Sequence, residues 1–137
     1  MRVLPTTLLM TVLLVVPLWS QEGDAPEETT AITVDRIAAC TGIEEREPVG
    51  SSDSFPADVG EVYCFTHIKG ADGETTVTHV WYQGETERAR VELNVRSASW
   101  RTWSKKKIPA EWAGSWRVVV VDESDNEIGS TSFTVGE

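Results

Sequence analysis

Positive charge is what this chain of 137 residues is shortest of: 12 Lys and Arg stand against 22 Asp and Glu, a net charge of −10 at pH 7. That deficit excludes general nucleic-acid binding, which needs a surplus of Lys and Arg facing phosphate. It favours solubility instead. Histidine and cysteine are scarcer still, at two each. No CxxC pair or close His spacing is present, so no metal site is expected. The acidic run 122–127 lacks both the sharp-turn glycine and the distant bidentate Glu of a calcium loop. No cofactor motif occurs. Nucleophilic catalysis needs a Ser or Cys beside an activating base, and only His67 and His79 could be that base. Each falls inside a predicted strand, preceded by Thr and with no Ser-containing elbow nearby, so an enzyme is not expected. Carboxylates are plentiful enough for glycoside cleavage, but they lie mostly at turns and wet faces, where solvation accounts for them.

Beyond residue 20 there is also no apolar run long enough to cross a bilayer. Residues 1–20 themselves read as a signal peptide: Arg2, an apolar run from Leu4 to Leu18, then small polar residues. Cleavage is expected after Ser20, and an uncleaved N-terminal membrane anchor is the alternative. The product would be exported, periplasmic or secreted, with 11 basic residues against 22 acidic once Arg2 is removed. Residues 21–30 hold four acids, a Pro and a Gly, the composition of a disordered acidic linker. One domain, residues 31–137, remains. In an exported chain Cys40 and Cys64 are expected to form a disulfide, worth roughly 3 kcal/mol in the chain-entropy picture. Two buried free thiols are the alternative.

What is present is strand pattern. Residues 32–40 alternate imperfectly and end at Thr41-Gly42, with a helix over 34–39 as the competing reading. Residues 43–50 read as a polar extended connection and 51–60 as a loop. The aromatic and β-branched run 61–68 predicts a strand. Lys69 to Gly73 predicts a hairpin turn and 75–82 the return strand. From Ala89 the chain alternates cleanly, with Val91, Leu93 and Val95 on one face. A short strand over 100–104, a stop at Pro109, a central strand over 116–121 and a last strand over 129–135 complete the set. About seven short strands without a long helix predict an all-β, antiparallel, immunoglobulin-like β-sandwich.

Four blocks carry a resemblance: His79-Val-Trp81-Tyr82, Trp100-Arg101-Thr-Trp103-Ser104-Lys105-Lys106, Gly114-Ser-Trp116-Arg-Val-Val-Val, and Ile128 with Phe133-Thr-Val135. Their spacing resembles a bacterial family known as domain of unknown function 2914, over about Ile32 to Val135. The resemblance implies an exported or membrane-tethered β-rich module and no established reaction. The pair Cys40 and Cys64 is not a feature it implies.

The remaining signal is the stretch 100–116, with four of the six tryptophans. Residues 96–107 hold Arg96, Arg101, Lys105, Lys106 and Lys107 and no acid. Indole faces stack on sugars and cations, and Arg grips carboxylate or phosphate in two-pronged fashion. The expected ligand-binding residues are Trp100, Arg101, Trp103, Ser104, Lys105 and Lys106, joined by His79 and Trp81 from a neighbouring strand. The expected partner is an anionic glycan or an envelope protein. Against this, Trp81 and Trp116 suit a sandwich core. Trp100 and Trp103, three apart, cannot share one face of a strand. The lysines could simply guard an edge strand. An exported binding or adaptor module is thus the first reading, and a structural spacer of an envelope assembly or a weak glycan-processing enzyme the rivals.

Overall fold

The computed structural model describes residues 32–136; the predicted leader and acidic linker lie outside the described residues. Ten strands follow in order: β1 Thr33–Cys40, β2 Gly42–Glu44, β3 Glu47–Val49, β4 Ser54–Phe55, β5 Gly60–Lys69, β6 Thr75–Gln83, β7 Thr86–Val95, β8 Ser99–Ile108, β9 Gly114–Val121 and β10 Glu127–Val135. A 3-10 turn, Ala110–Trp112, links β8 to β9. Among the described residues no helix is long and apolar enough to cross a membrane.

Two sheets form the body. One has the order β1-β5-β8 and the other β4-β10-β9-β6-β7. All pairs are antiparallel except the short β4-β10 pair. Alternation decides what lies between them. On β5, Val62, Cys64, Thr66 and Ile68 point inward; on β6, Val77, His79 and Trp81 do; on β9, Trp116, Val118 and Val120 do. All ten are buried. The inward side chains gather into two apolar clusters. Trp81, Trp116, Phe133, Phe55, Val62 and Ile108 lead the larger. Ile68, Val77, Val95 and Val120 lead the smaller. Phe133 stacks on Trp116 with ring centroids 6.2 Å apart and meets Trp81 edge-on at 6.3 Å. The second side of the sandwich closes where β10 approaches β1. A Cβ at Gly129 would lie 3.0 Å from the Val34 side chain, so a larger residue there would have to push Val34 aside.

Several elements differ from expectation. The competing helix over 34–39 is not formed; β1 is a strand. The polar connection 43–50 is a hairpin, β2-β3, and the loop after it contains β4. This hairpin folds over the outer face of the three-stranded sheet. Glu47 sits between Arg36 of β1 at 2.8 Å and Arg101 of β8 at 3.0 Å. Beneath it Phe65, an outward position by alternation, is completely buried. The hairpin turns at Glu45 and Arg46, both at positive φ, 52° and 64°. The strand predicted over 100–104 runs the full ten residues to Ile108 before Pro109 ends it. The lysines stay in the ladder because Lys105, Lys106 and Lys107 pair with Tyr63, Val62 and Glu61 of β5.

The expected disulfide is corrected by the register. Cys64 stands opposite Ala39, and Cys40 opposite Tyr63. A one-residue offset points the two side chains to opposite faces of the sheet. Both thiols are free and buried. Burial pushes the Cys64 thiol well above its usual range and Cys40 in the same direction. Thiol titration of the full chain should therefore find two reactive groups after unfolding without reductant and essentially none before. Reductant should leave the melting temperature unchanged; a drop on reduction contradicts this register.

Candidate functional site

Strand β8 divides the basic-aromatic stretch in two. Arg101, Trp103, Lys105 and Lys107 stand opposite His67, Phe65, Tyr63 and Glu61 on the outer face. Trp100, Thr102, Ser104 and Lys106 stand opposite Ile68, Thr66, Cys64 and Val62 on the inner one. The structure thus brings Arg101, Trp103 and Lys105 together and separates them from Trp100, Ser104, Lys106, His79 and Trp81. Trp100 and Trp103 point to opposite faces, as their spacing requires, and each is half-buried. Trp100 packs against the smaller apolar cluster, and the Arg46 guanidinium of the covering hairpin lies 5.6 Å from its ring centroid.

His79, Trp81 and Ser104 belong to the interior. His79 is 0% exposed and Ser104 6%. Their hydrogen-bond network admits one proton arrangement. Thr66 Oγ1 donates its only hydrogen to the Thr102 carbonyl at 2.9 Å. Against His79 Nε2, 3.2 Å away, it must then accept, so Nε2 carries the ring proton. Nδ1 is left bare and accepts from Ser104 Oγ at 2.6 Å. Ser104 Oγ in turn accepts from the Trp81 indole N–H at 3.1 Å. Each polar side chain is satisfied, and the ring is neutral: desolvation by burial pushes the His79 pKa down to about 4. Ser104 thus has a histidine within hydrogen-bond reach, yet its hydroxyl is committed twice and closed to solvent. It ties the two sheets together and has no path to a substrate.

Lys106 also has an internal role. Although its Cα faces inward, its ammonium reaches 5.1 Å from the Trp112 ring centroid. The Arg88 guanidinium lies 4.1 Å from the same ring. Gln83 holds the assembly: it accepts from Arg88 at 2.8 and 2.9 Å and donates to the Trp112 and Ala113 carbonyls. The Trp112 carbonyl also accepts from the Trp116 indole at 2.9 Å. One indole with two cations near its ring joins β7, β8 and the 3-10 turn.

What remains open is the outer face beyond the covering hairpin: Tyr63, Trp103, Lys105 and Lys107. Lys105 lies 5.9 Å from the Tyr63 ring centroid and 3.7 Å from Glu61. The Lys105 side chain is 57% exposed. Arg101 is largely engaged by Glu47, whose carboxyl Arg36 and then Arg101 hold below its usual range. Tyr63 and Lys107 were not among the expected ligand residues. Lys107 was legible, since 101, 103, 105 and 107 share a face by alternation. Tyr63 was not, because its place depends on the β5-β8 register.

Fold and surface together define an all-β, two-sheet antiparallel domain with an aromatic and cationic outer face. Residues 74–135 match the model of the family described as "Protein of unknown function (DUF2914)". The matched range covers β6 to β10, a shorter span than the resemblance suggested. No curated protein matches the chain. Among solved structures it is similar to a β-glucosidase from Listeria innocua in complex with glucose, at 11% identity and a TM-score of 0.44. The same enzyme without that description of a ligand gives 11% and 0.43. Each alignment covers 78% of this chain and 16% of the enzyme. At that level no role is transferred.

The interior network predicts a pH response with a definite sign. Between the ordinary value of 6.5 and about 4, the unfolded chain binds a proton at His79 that the folded chain refuses. Stability should therefore fall as pH falls through that window, by about 3 kcal/mol in total, and His79 should contribute no further loss below it. Urea unfolding at pH 7, 5.5 and 4 checks this against His79→Gln, in which that part of the slope should disappear. Ser104→Ala, which orphans His79 Nδ1 and the Trp81 N–H, should cost about 3 kcal/mol at pH 7.

Proposed function

We propose that this domain is an exported binding or adaptor module of the bacterial cell envelope, and that Tyr63, Trp103, Lys105 and Lys107 recognise an anionic glycan. Residues 1–20 then act as its signal peptide. Recognition, without turnover, is the role of these four residues. The observation that supports the reading is the placement of two half-exposed aromatic rings and two exposed lysines on one face of a sheet in a strongly acidic protein. A sugar ring can lie on the aromatics while its carboxylate or sulfate meets the ammonium groups. The strand order β1-β5-β8 facing β10-β9-β6-β7 supports an immunoglobulin-like sandwich, with β2, β3 and β4 as additions.

The pairing of Lys105 with Glu61 favours a second reading, a spacer domain whose lysines are spent internally. Titration with polygalacturonate, followed by tryptophan emission, separates the two. Binding should quench emission, weaken steeply with salt, and fall at least tenfold in Trp103→Ala and in the double variant Lys105→Glu, Lys107→Glu. Lys106→Glu should leave it unchanged, because that ammonium is engaged by Trp112. Equal affinity in wild type and the double variant, or no quenching at low salt, would leave the spacer reading standing.

A further inference from the structure

The covering hairpin leaves one more constellation at the opposite end of the outer face, on residues outside the glycan-binding corner. His67 Nε2 lies 2.8 Å from Ser99 Oγ, and His67 Nδ1 lies 3.6 Å from Asp35 Oδ2. The three come from adjacent strands, β8, β5 and β1. Asp35 reaches the imidazole because β1 is irregular there: Val34 pairs with Ile68 and Arg36 with His67, which leaves Asp35 as an extra residue between them. A bulge of this kind re-aims a side chain. His67 is mostly covered, its side chain 15% exposed, whereas Ser99 is exposed. Lys69 stands directly opposite Ser99, and Arg101 follows two residues along on the same face. This histidine differs from His79 in the one respect that matters for chemistry, since its serine is open to solvent.

We infer that Ser99, His67 and Asp35 form an acyl-transfer site that hydrolyses small carboxylic esters. With Ser99 donating to Nε2, the ring proton sits on Nδ1 and faces the Asp35 carboxylate. Ser99 Oγ attacks the ester carbonyl and gives its proton to His67 Nε2. Asp35, a positioning residue, stabilises the imidazolium across a contact that shortens as charge develops. Lys69, the cross-strand partner of Ser99, supplies the cation for the oxygen that becomes negative. The tetrahedral centre collapses, the bond to the alcohol oxygen breaks, and Nε2 returns the proton to that oxygen. Water then loses a proton to Nε2 and attacks the acyl carbon. Ser99 Oγ departs and takes that proton, so ester and water become acid and alcohol. Ser99 is exposed on the strand surface, which suits short acyl groups such as acetyl.

Two measurements on the full chain test this. The first is hydrolysis of p-nitrophenyl acetate; the second is covalent labelling by a fluorophosphonate, with the modified peptide identified by mass spectrometry. The label should sit on Ser99. Ser99→Ala should abolish both labelling and turnover, and His67→Gln should lower both by about 100-fold or more. Asp35→Asn should slow labelling while Asp35→Glu retains it, with unfolding midpoints unchanged in both; a purely structural aspartate would not give that pattern. Ester hydrolysis equal in wild type, Ser99→Ala and His67→Gln overturns the inference, as does a wild-type chain that takes no label on Ser99.

Discussion

A neutral histidine in the middle of the core is the constraint that organises this fold. His79 lies where the two apolar clusters meet, with Val77 and Trp81 on either side of it along β6. Its ring bonds across to β5 through Thr66 and to β8 through Ser104. Apolar packing alone would permit small slips between stacked sheets, because dispersion and burial are not directional. Hydrogen bonds that must all be satisfied at once do not permit them, since each orphaned group costs about 1–3 kcal/mol. The belt Thr66–His79–Ser104–Trp81 thus fixes the lateral position of one sheet on the other.

That position has consequences at the surface. With Ser104 held inward, alternation along β8 forces Trp103 and Lys105 outward and Lys106 inward. Lys106 then meets the Trp112 ring, as Arg88 does, and helps hold the 3-10 turn against β7 and β8. The outward set forms the candidate recognition face. The same alternation on β5 puts Tyr63 and His67 on that face, at either end of the buried Phe65. Most of the chain's rare positive charge therefore either seals the fold or faces solvent on one sheet, and the hairpin β2-β3 covers the middle of that sheet with a carboxylate held between two guanidinium groups.

Strand positions were largely legible because the period-two pattern of residues 61–68, 75–82 and 89–95 is strong. The β2-β3 hairpin was not, since Glu44, Glu45, Arg46 and Glu47 show no apolar alternation, and its turn uses Glu45 and Arg46 at positive φ where Gly or Asn is the usual signal. The cysteine pair misled because an even count in an exported chain says nothing of register, and a single-residue offset decides it. For the candidate site, the sequence could show that Trp100 and Trp103 diverge. It could place Trp81 and Trp116 in the core, but not His79 beside them, nor show that each histidine meets a serine more than twenty residues away. Such pairings depend on which strands are neighbours, and that information is non-local.

The most direct test of the interior belt is nitrogen NMR of the two imidazole rings as pH is lowered from 7 to 4. His79 should show a neutral ring with its proton on Nε2 and should not titrate until the pH is close to 4. A His79 ring that titrates near 6.5, or that carries its proton on Nδ1, would contradict the account.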